Sequence, residues 1–207
     1  MIRIVVATGN AHKVQEMAAG LNVEGVELVP VSEIDPNWPA PDETALTFEG
    51  NATLKALDVA ERYRCVALAD DSGLIVDALG GEPGVRSARY AGDTATDAEN
   101  NAKLLNALRD TPAGERTARF VSALVVAGLD GAIEGAPAYL AVTGSCEGSI
   151  ALEPRGENGF GYDPLFHPDD APCRSMAELT MGEKNAISHR GNALAALSNL
   201  LGEVLAT

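Results

Sequence analysis

The feature that most constrains this chain is a pair of acids set inside an apolar run. Cys65-Val66-Ala67-Leu68-Ala69 reads as a short buried strand, and Gly73-Leu74-Ile75-Val76-Asp77-Ala78-Leu79 resumes the apolar run. Asp70, Asp71 and Ser72 lie between them. Charge in such surroundings is costly unless a cation or a donor network meets it. Left alone, the two carboxylates repel and partly neutralise. Two readings are open here. In one, the acids form a tight turn in which an aspartate caps backbone amides and Gly73 takes a positive φ. In the other they serve a hard metal ion such as Mg²⁺, with one carboxylate orienting water. Neighbouring strand residues point to opposite faces, so in extended backbone one aspartate faces a cleft and the other supports from behind.

The chain of 207 residues is long enough for one large domain, or for two small lobes around a cleft. No apolar run approaches the ~18–20 residues of a membrane span. The N-terminus opens a strand and lacks the layout of a signal peptide. Cys65, Cys146 and Cys173 are odd in number and far apart; they read as reduced residues of a cytoplasmic protein with no zinc site. The formal net charge of −15 leaves no basic footprint for nucleic acid. Neither nucleic acid nor membrane is an expected partner. A polyphosphate ligand would instead require the few cations to gather in one place.

Along the chain, residues 2–7 read as a parallel-type buried strand broken by Thr8-Gly9-Asn10. A helix follows over residues 11–21, with Val14, Met17, Ala18 and Leu21 on one face. Its N-terminus with Lys13 is a natural anion site; equally, Thr8 or Asn10 caps the helix and Lys13 is solvated. Residues 26–31 form a second strand. A long proline-rich loop comes next and carries Glu43, either an outer metal ligand or a solvated acid. The helix over residues 47–64 shows an apolar face of Phe48, Ala52, Val59, Ala60 and Tyr63, while Asn51 and Lys55 share another. Residues 80–84 mark a turn, after which Arg86 and Arg89 pair surface acids or reach an anion. A helix is expected from Thr96 to about Arg109. Strands over residues 116–128 and 138–150 flank Leu129-Asp130-Gly131, which reads as a hairpin turn. Gly159-Phe160-Gly161-Tyr162-Asp163 suits either a flat ligand between surfaces or a buried aromatic turn. The closing helix buries Leu194, Leu197, Leu201 and Val204, with Ser188 as its cap. His189 and Arg190 then sit in its first turn, where a cation needs an anion nearby. His12 and His167 read as surface residues.

Six blocks act together in this sequence. They are Ala7-Thr8-Gly9-Asn10-x-x-Lys13; Glu43-Thr44-x-x-Thr47-Phe48-Glu49-x-Asn51-Ala52-x-x-Lys55-Ala56; Ala69-Asp70-Asp71-Ser72-Gly73-Leu74; Pro83-Gly84-Val85-x-Ser87-Ala88-Arg89-Tyr90; Gly159-Phe160-Gly161-Tyr162-Asp163-Pro164; and Glu183-Lys184-x-x-x-Ser188-His189-Arg190-Gly191. In this order the chain resembles the inosine/xanthosine triphosphate pyrophosphatases, which hydrolyse deaminated purine nucleotides. It departs from them at Gly50, where many members carry an acid, and residues 111–153 match only weakly.

The resemblance implies an α/β fold, an elongated mixed β-sheet with flanking helices forming two lobes around a central nucleotide-binding cleft. It implies a single pyrophosphatase domain over residues 1–207 and a homodimer; the strand pattern itself makes residues 111–153 mainly antiparallel strands. The substrates would be ITP, dITP and XTP, cut to the monophosphate and pyrophosphate with Mg²⁺ as cofactor. Asp71, Asp70 and Lys55 would be catalytic, Asp71 as proton acceptor for water, and Asp71, Glu43 and Asp70 would hold the metal. Thr8, Gly9, Asn10, Ala11, His12, Lys13, Asn51, Ser72, Phe160, Gly161, Tyr162, Asp163, Lys184, His189 and Arg190 would bind substrate. Donors aimed at the 6-oxo group would exclude adenine, with His189 and Arg190 as candidate readers and Asp163 or pocket shape deciding against guanine. Two other functions stand as alternatives: a phosphatase with an aspartate nucleophile, against which the lack of a DxDxT- or DxDxV-type strand end argues, and a nucleotide sensor without turnover, against which the complete set of acids argues.

Overall fold

The computed structural model describes residues 1–206. In chain order it contains β1 (Ile2–Val6), α1 (Ala11–Gly20), β2 (Val26–Pro30), α2 (Phe48–Tyr63), β3 (Val66–Val76), α3 (Asp97–Ala107), β4 (Thr117–Ala127), β5 (Tyr139–Ile150), β6 (Phe166–Pro168), α4 (Met181–Ile187) and α5 (His189–Leu205). The strands form one sheet in the order β2-β1-β3-β4-β5-β6. β1 runs parallel to β2 and β3, whereas β5 and β6 are antiparallel, so the sheet is mixed. The α/β class expected from the sequence is the class observed.

The paired acids do not make a turn. β3 runs unbroken through Asp70, Asp71 and Ser72, and Gly73 has no positive φ. The physical reason lies in the partners described below: cations and donors meet the carboxylates, so the strand has no need to break. The expected hairpin turn also differs. Residues 128–138 bridge β4 and β5, and Ile133 and Ala136 within them turn back onto the core. An apolar connection that buries its own side chains is longer than a two-residue turn. α4, which the sequence reading did not separate from α5, starts at a Thr180–Glu183 capping box.

The chain divides into two compact units. The first takes Met1–Asp71, Ser122–Gly144 and the chain from Arg190 onward; the second takes Ser72–Val121 and Ser145–His189. In the first unit, strand alternation builds two cores. Ile4, Val6, Val66, Leu68, Leu124 and Val126 pack with Met17 of α1 and with Leu194, Leu197 and Leu201 of α5. Their chain neighbours Val5, Ala7, Ala67, Ala69, Val125 and Ala127 pack with Ala52, Ala56, Val59 and Ala60 of α2. Small side chains line both surfaces of this contact. Of the stripe expected on α5, Val204 is only half-buried. In the second unit Leu74, Val76, Leu104, Leu108, Phe120, Phe166 and Met176 form the core. Among the described residues no helix is long and apolar enough to cross a membrane.

Candidate functional site

The period of two that sorts the cores also sorts the acids. Asp70 continues the parity of Val66 and Leu68, so it points to the face covered by α1 and α5. Lys13 Nζ lies 2.7 Å from Asp70 Oδ2, and Arg190 Nη2 donates to the same oxygen at 2.9 Å. Ser122, which shares the parity of Leu124 on β4, donates to Asp70 Oδ1 at 2.5 Å. Arg190 also donates to Glu16, a buried acid one turn along α1 from Lys13. Burial pushes the Asp70 carboxyl up, but the Arg190 guanidinium and the Lys13 ammonium outweigh it and hold the group well below the usual carboxylate range. Burial likewise pulls the Lys13 ammonium down, further than Asp70 restores it.

Asp71 continues the parity of Ala67 and Ala69 and points to the α2 face. Lys55 Nζ donates to Asp71 Oδ1 at 2.9 Å, to the Asp70 carbonyl at 2.9 Å and to Glu43 Oε1 at 3.1 Å. Asn51 donates to Asp71 Oδ2 at 3.3 Å and accepts from the Ala45 N–H at 2.9 Å, which ties the Glu43 loop to the helix. Burial raises the Asp71 carboxyl above its ordinary value, although Lys55 and Lys13 pull the other way. Burial lowers Lys55 in turn, but Asp71 and Glu43 prevail and its ammonium is stabilised.

At the β1–α1 turn, Asn10 is the N-cap: its Oδ1 accepts from the His12 and Lys13 amides at 2.9 and 3.3 Å. Thr8 Oγ1 accepts from the Asn10 amide at 3.1 Å. Gly9, Ala11 and His12 are exposed. Capping is therefore present, but Lys13 is not solvated. Its side chain is only 14% exposed and turns inward to Asp70.

The second unit holds the other expected residues. Asp163 Oδ2 accepts from Lys184 Nζ at 2.6 Å and from the Phe160 amide at 2.9 Å. An ideal Cβ on Gly159 would fall 2.0 Å from that oxygen, at a φ of +77°, so only glycine fits there. Lys184 Nζ lies 5.0 Å from the centre of the half-buried Phe160 ring. Tyr162 is buried, donating to the Ser87 carbonyl at 2.9 Å. The aromatic-turn reading thus describes Tyr162, and Phe160 is the ring left partly open. His189 is buried and stacks on Phe120 at 4.8 Å. Ser72 is half-buried and opens the unit. Arg86 lies 3.7 Å from Asp93, both exposed, in keeping with a surface pair.

Two residues of the acid cluster were not anticipated from the sequence. Glu16 sits three residues after Lys13, on the same helix face, and Ser122 is a lone hydroxyl in an apolar strand. Each carried a weak local signal; neither partner was visible without the fold.

The model of the Ham1 family matches residues 4–200. The chain belongs to the Ham1 family. A dITP/XTP pyrophosphatase from Exiguobacterium sibiricum is 50% identical to it over 206 residues, 98% of this chain and 100% of that protein. One from Lactobacillus acidophilus is 47% identical over 201 residues, 96% of each. The solved structure of a HAM1 protein from Coxiella burnetii matches with a TM-score of 0.85 and 44% identity, over 98% of this chain and 100% of that one.

Whether this Ham1 chain suits a divalent cation can be judged from its donors. Glu43 and Asp71 each bring an oxygen to within about 3 Å of one point, now held by Lys55 Nζ. Burial leaves the Asp71 charge under-compensated. In the first unit the carboxylates of Glu16, Glu43, Asp70 and Asp71 gather around Lys13, Lys55 and Arg190. Among the described residues no group of three acids, histidines or cysteines is placed to hold a metal ion. Of the three carboxylates expected from the sequence, Glu43 and Asp71 meet at Lys55, while both oxygens of Asp70 accept from Ser122, Lys13 and Arg190. Two converging carboxylates are the oxygen donors that a hard divalent cation takes, so the residues present fit such an ion.

Proposed function

We propose that this protein hydrolyses deaminated purine nucleoside triphosphates (dITP, ITP and XTP) to the monophosphate and pyrophosphate, clearing them from the precursors of DNA and RNA. The observation that carries this reading is the near-half identity to dITP/XTP pyrophosphatases over almost the full length of both chains. The chemistry of the first unit supports it. Asp71 accepts the proton of the attacking water at Oδ2, the oxygen with the longer hydrogen bond. Its raised proton affinity makes it a stronger base. Lys55 fixes the carboxylate's orientation through Oδ1 and offsets the local negative charge. Mg²⁺ held by Asp71 and Glu43 would neutralise phosphate charge and make the attacking water more acidic. Asp70 holds Lys13, in the first turn of α1, and Arg190, at the start of α5, by ion pairs, and Thr8 to Lys13 are the residues we assign to the phosphates.

In the second unit we assign the base to Phe160, whose ring remains partly open, and to Lys184 and Asp163. Arg190 is a poorer reader of the base than the sequence suggested, because its two terminal nitrogens donate to Glu16 and Asp70. We also propose the homodimer that the family resemblance implies, which sedimentation of the purified chain would test.

The deciding experiment is a product assay with ITP, XTP, GTP and ATP, with and without Mg²⁺, separating pyrophosphate from orthophosphate. Pyrophosphate from ITP and XTP, dependent on Mg²⁺, is the expected result. Orthophosphate would favour the aspartate-nucleophile phosphatase, and binding without turnover the sensor.

A further inference from the structure

The loop carrying Phe160 has a backbone that is costly to order. Gly159 and Gly161 both take positive φ, +77° and +62°, and glycine loses more conformational freedom on ordering than any other residue. Asp163 fixes the loop from within through the Phe160 amide. From outside, one helix face holds both backbone groups of Gly161. Asp97 Oδ2 accepts from the Gly161 N–H at 2.6 Å, and Asn101 Nδ2 donates to the Gly161 carbonyl at 2.9 Å. Asp97 and Asn101 are four apart on α3 and therefore share a face.

α3 does not need Asp97 for its own cap. Thr96 and Glu99 close its N-terminus reciprocally: the Thr96 amide donates to Glu99 at 2.7 Å and the Glu99 amide to Thr96 at 3.3 Å. Asn100, between the two clamp residues, accepts from the Ala91 amide at 2.8 Å and donates to the Ala88 carbonyl at 3.1 Å. The helix is thus anchored by one asparagine while its adjoining face grips the loop.

We infer that Asp97 and Asn101 are positioning residues that hold the Phe160–Gly161 loop in its substrate-ready shape and so set affinity for the base. The inference rests on the assignment of Phe160 to the base made above. Asp97→Ala should raise KM for ITP about tenfold, the scale of one charge-assisted hydrogen bond, with kcat changed less than about twofold. Asp97→Asn, which keeps an acceptor for the Gly161 N–H, should restore most of that loss. Hydrogen exchange over residues 157–164 should speed up in Asp97→Ala and return toward wild type in Asp97→Asn. An unchanged KM in Asp97→Ala, no rescue by Asp97→Asn, or unaltered exchange would each overturn the clamp. If the wild type fails to turn over ITP, the assigned activity falls instead, and the exchange measurements still decide whether α3 orders the loop.

Discussion

Asp71 is held under opposed pressures. Burial pushes its proton affinity up, while Lys55 and Lys13 pull it down. Removing a cation therefore moves the group in a known direction. In Lys55→Met the acid limb of the kcat/KM profile should shift to higher pH by about 1 unit or more; a limb that stays in place would remove Asp71 as the titrating base. Asp71→Asn should lower kcat by about 10²–10⁴-fold, the range of general-base catalysis. Nucleotide binding should survive that change, which equilibrium titration would check. Asp70 differs from its neighbour in kind. Its loss leaves Arg190 and Lys13 buried without their shared anion, so Asp70→Asn should cost about 3–5 kcal/mol of stability, read from urea unfolding.

The loop before α2 and the helix itself act as one element. Trp38 donates to Asp58 at 2.8 Å and Tyr63 to Asp35 at 2.8 Å, pinning the start of the loop to the helix. Asn51 pins its end at Ala45. Gly50 is what lets the end lie so close: an ideal Cβ there would fall 2.6 Å from the Ala45 Cβ and 3.0 Å from Thr47 Oγ1. This gives the departure at position 50 a physical meaning. In Gly50→Ala the helix gains about 0.5–1 kcal/mol of intrinsic preference, offset by the crowding at Ala45. Stability should change little, but Glu43 should move relative to Lys55 and Asp71. More Mg²⁺ should then be needed for half-maximal turnover. A metal titration superimposable on wild type would show that Ala45 gives way without disturbing Glu43. The length and composition of this loop raise the expectation of a functional role from the sequence; its anchors did not show there, because tryptophan, tyrosine and aspartate pairs of this kind carry no fixed spacing.

Over the whole molecule, a chain of net charge −15 places three of its 15 lysines and arginines in one acid cluster. The consequence for stability follows from sign. Asp70 is held below its ordinary value of about 3.9, so it stabilises the fold above that pH, and the contribution is lost as pH falls through its depressed folded value. Asp71, raised by burial, works the other way: it favours the fold most at low pH, and that contribution fades as pH rises through its folded value. Melting temperature measured downward from pH 5 should therefore fall for the wild type and fall less steeply in Asp70→Asn. Parallel curves would remove Asp70 from the acid response.

What the sequence determined by itself was the alternation. Two adjacent acids in an extended run must face opposite ways, and apolar residues on either side fix the strand and helix classes around them. Local backbone geometry suffices for that. It did not reveal that β3 passes through the acids without turning, since a glycine after two aspartates carries the same local signal as a turn. Only the tertiary structure decided which partners each acid met. Ser122 stands 52 residues from Asp70 and Arg190 stands 120 away. Pairings at such separations depend on strand order and helix placement, which no single segment encodes.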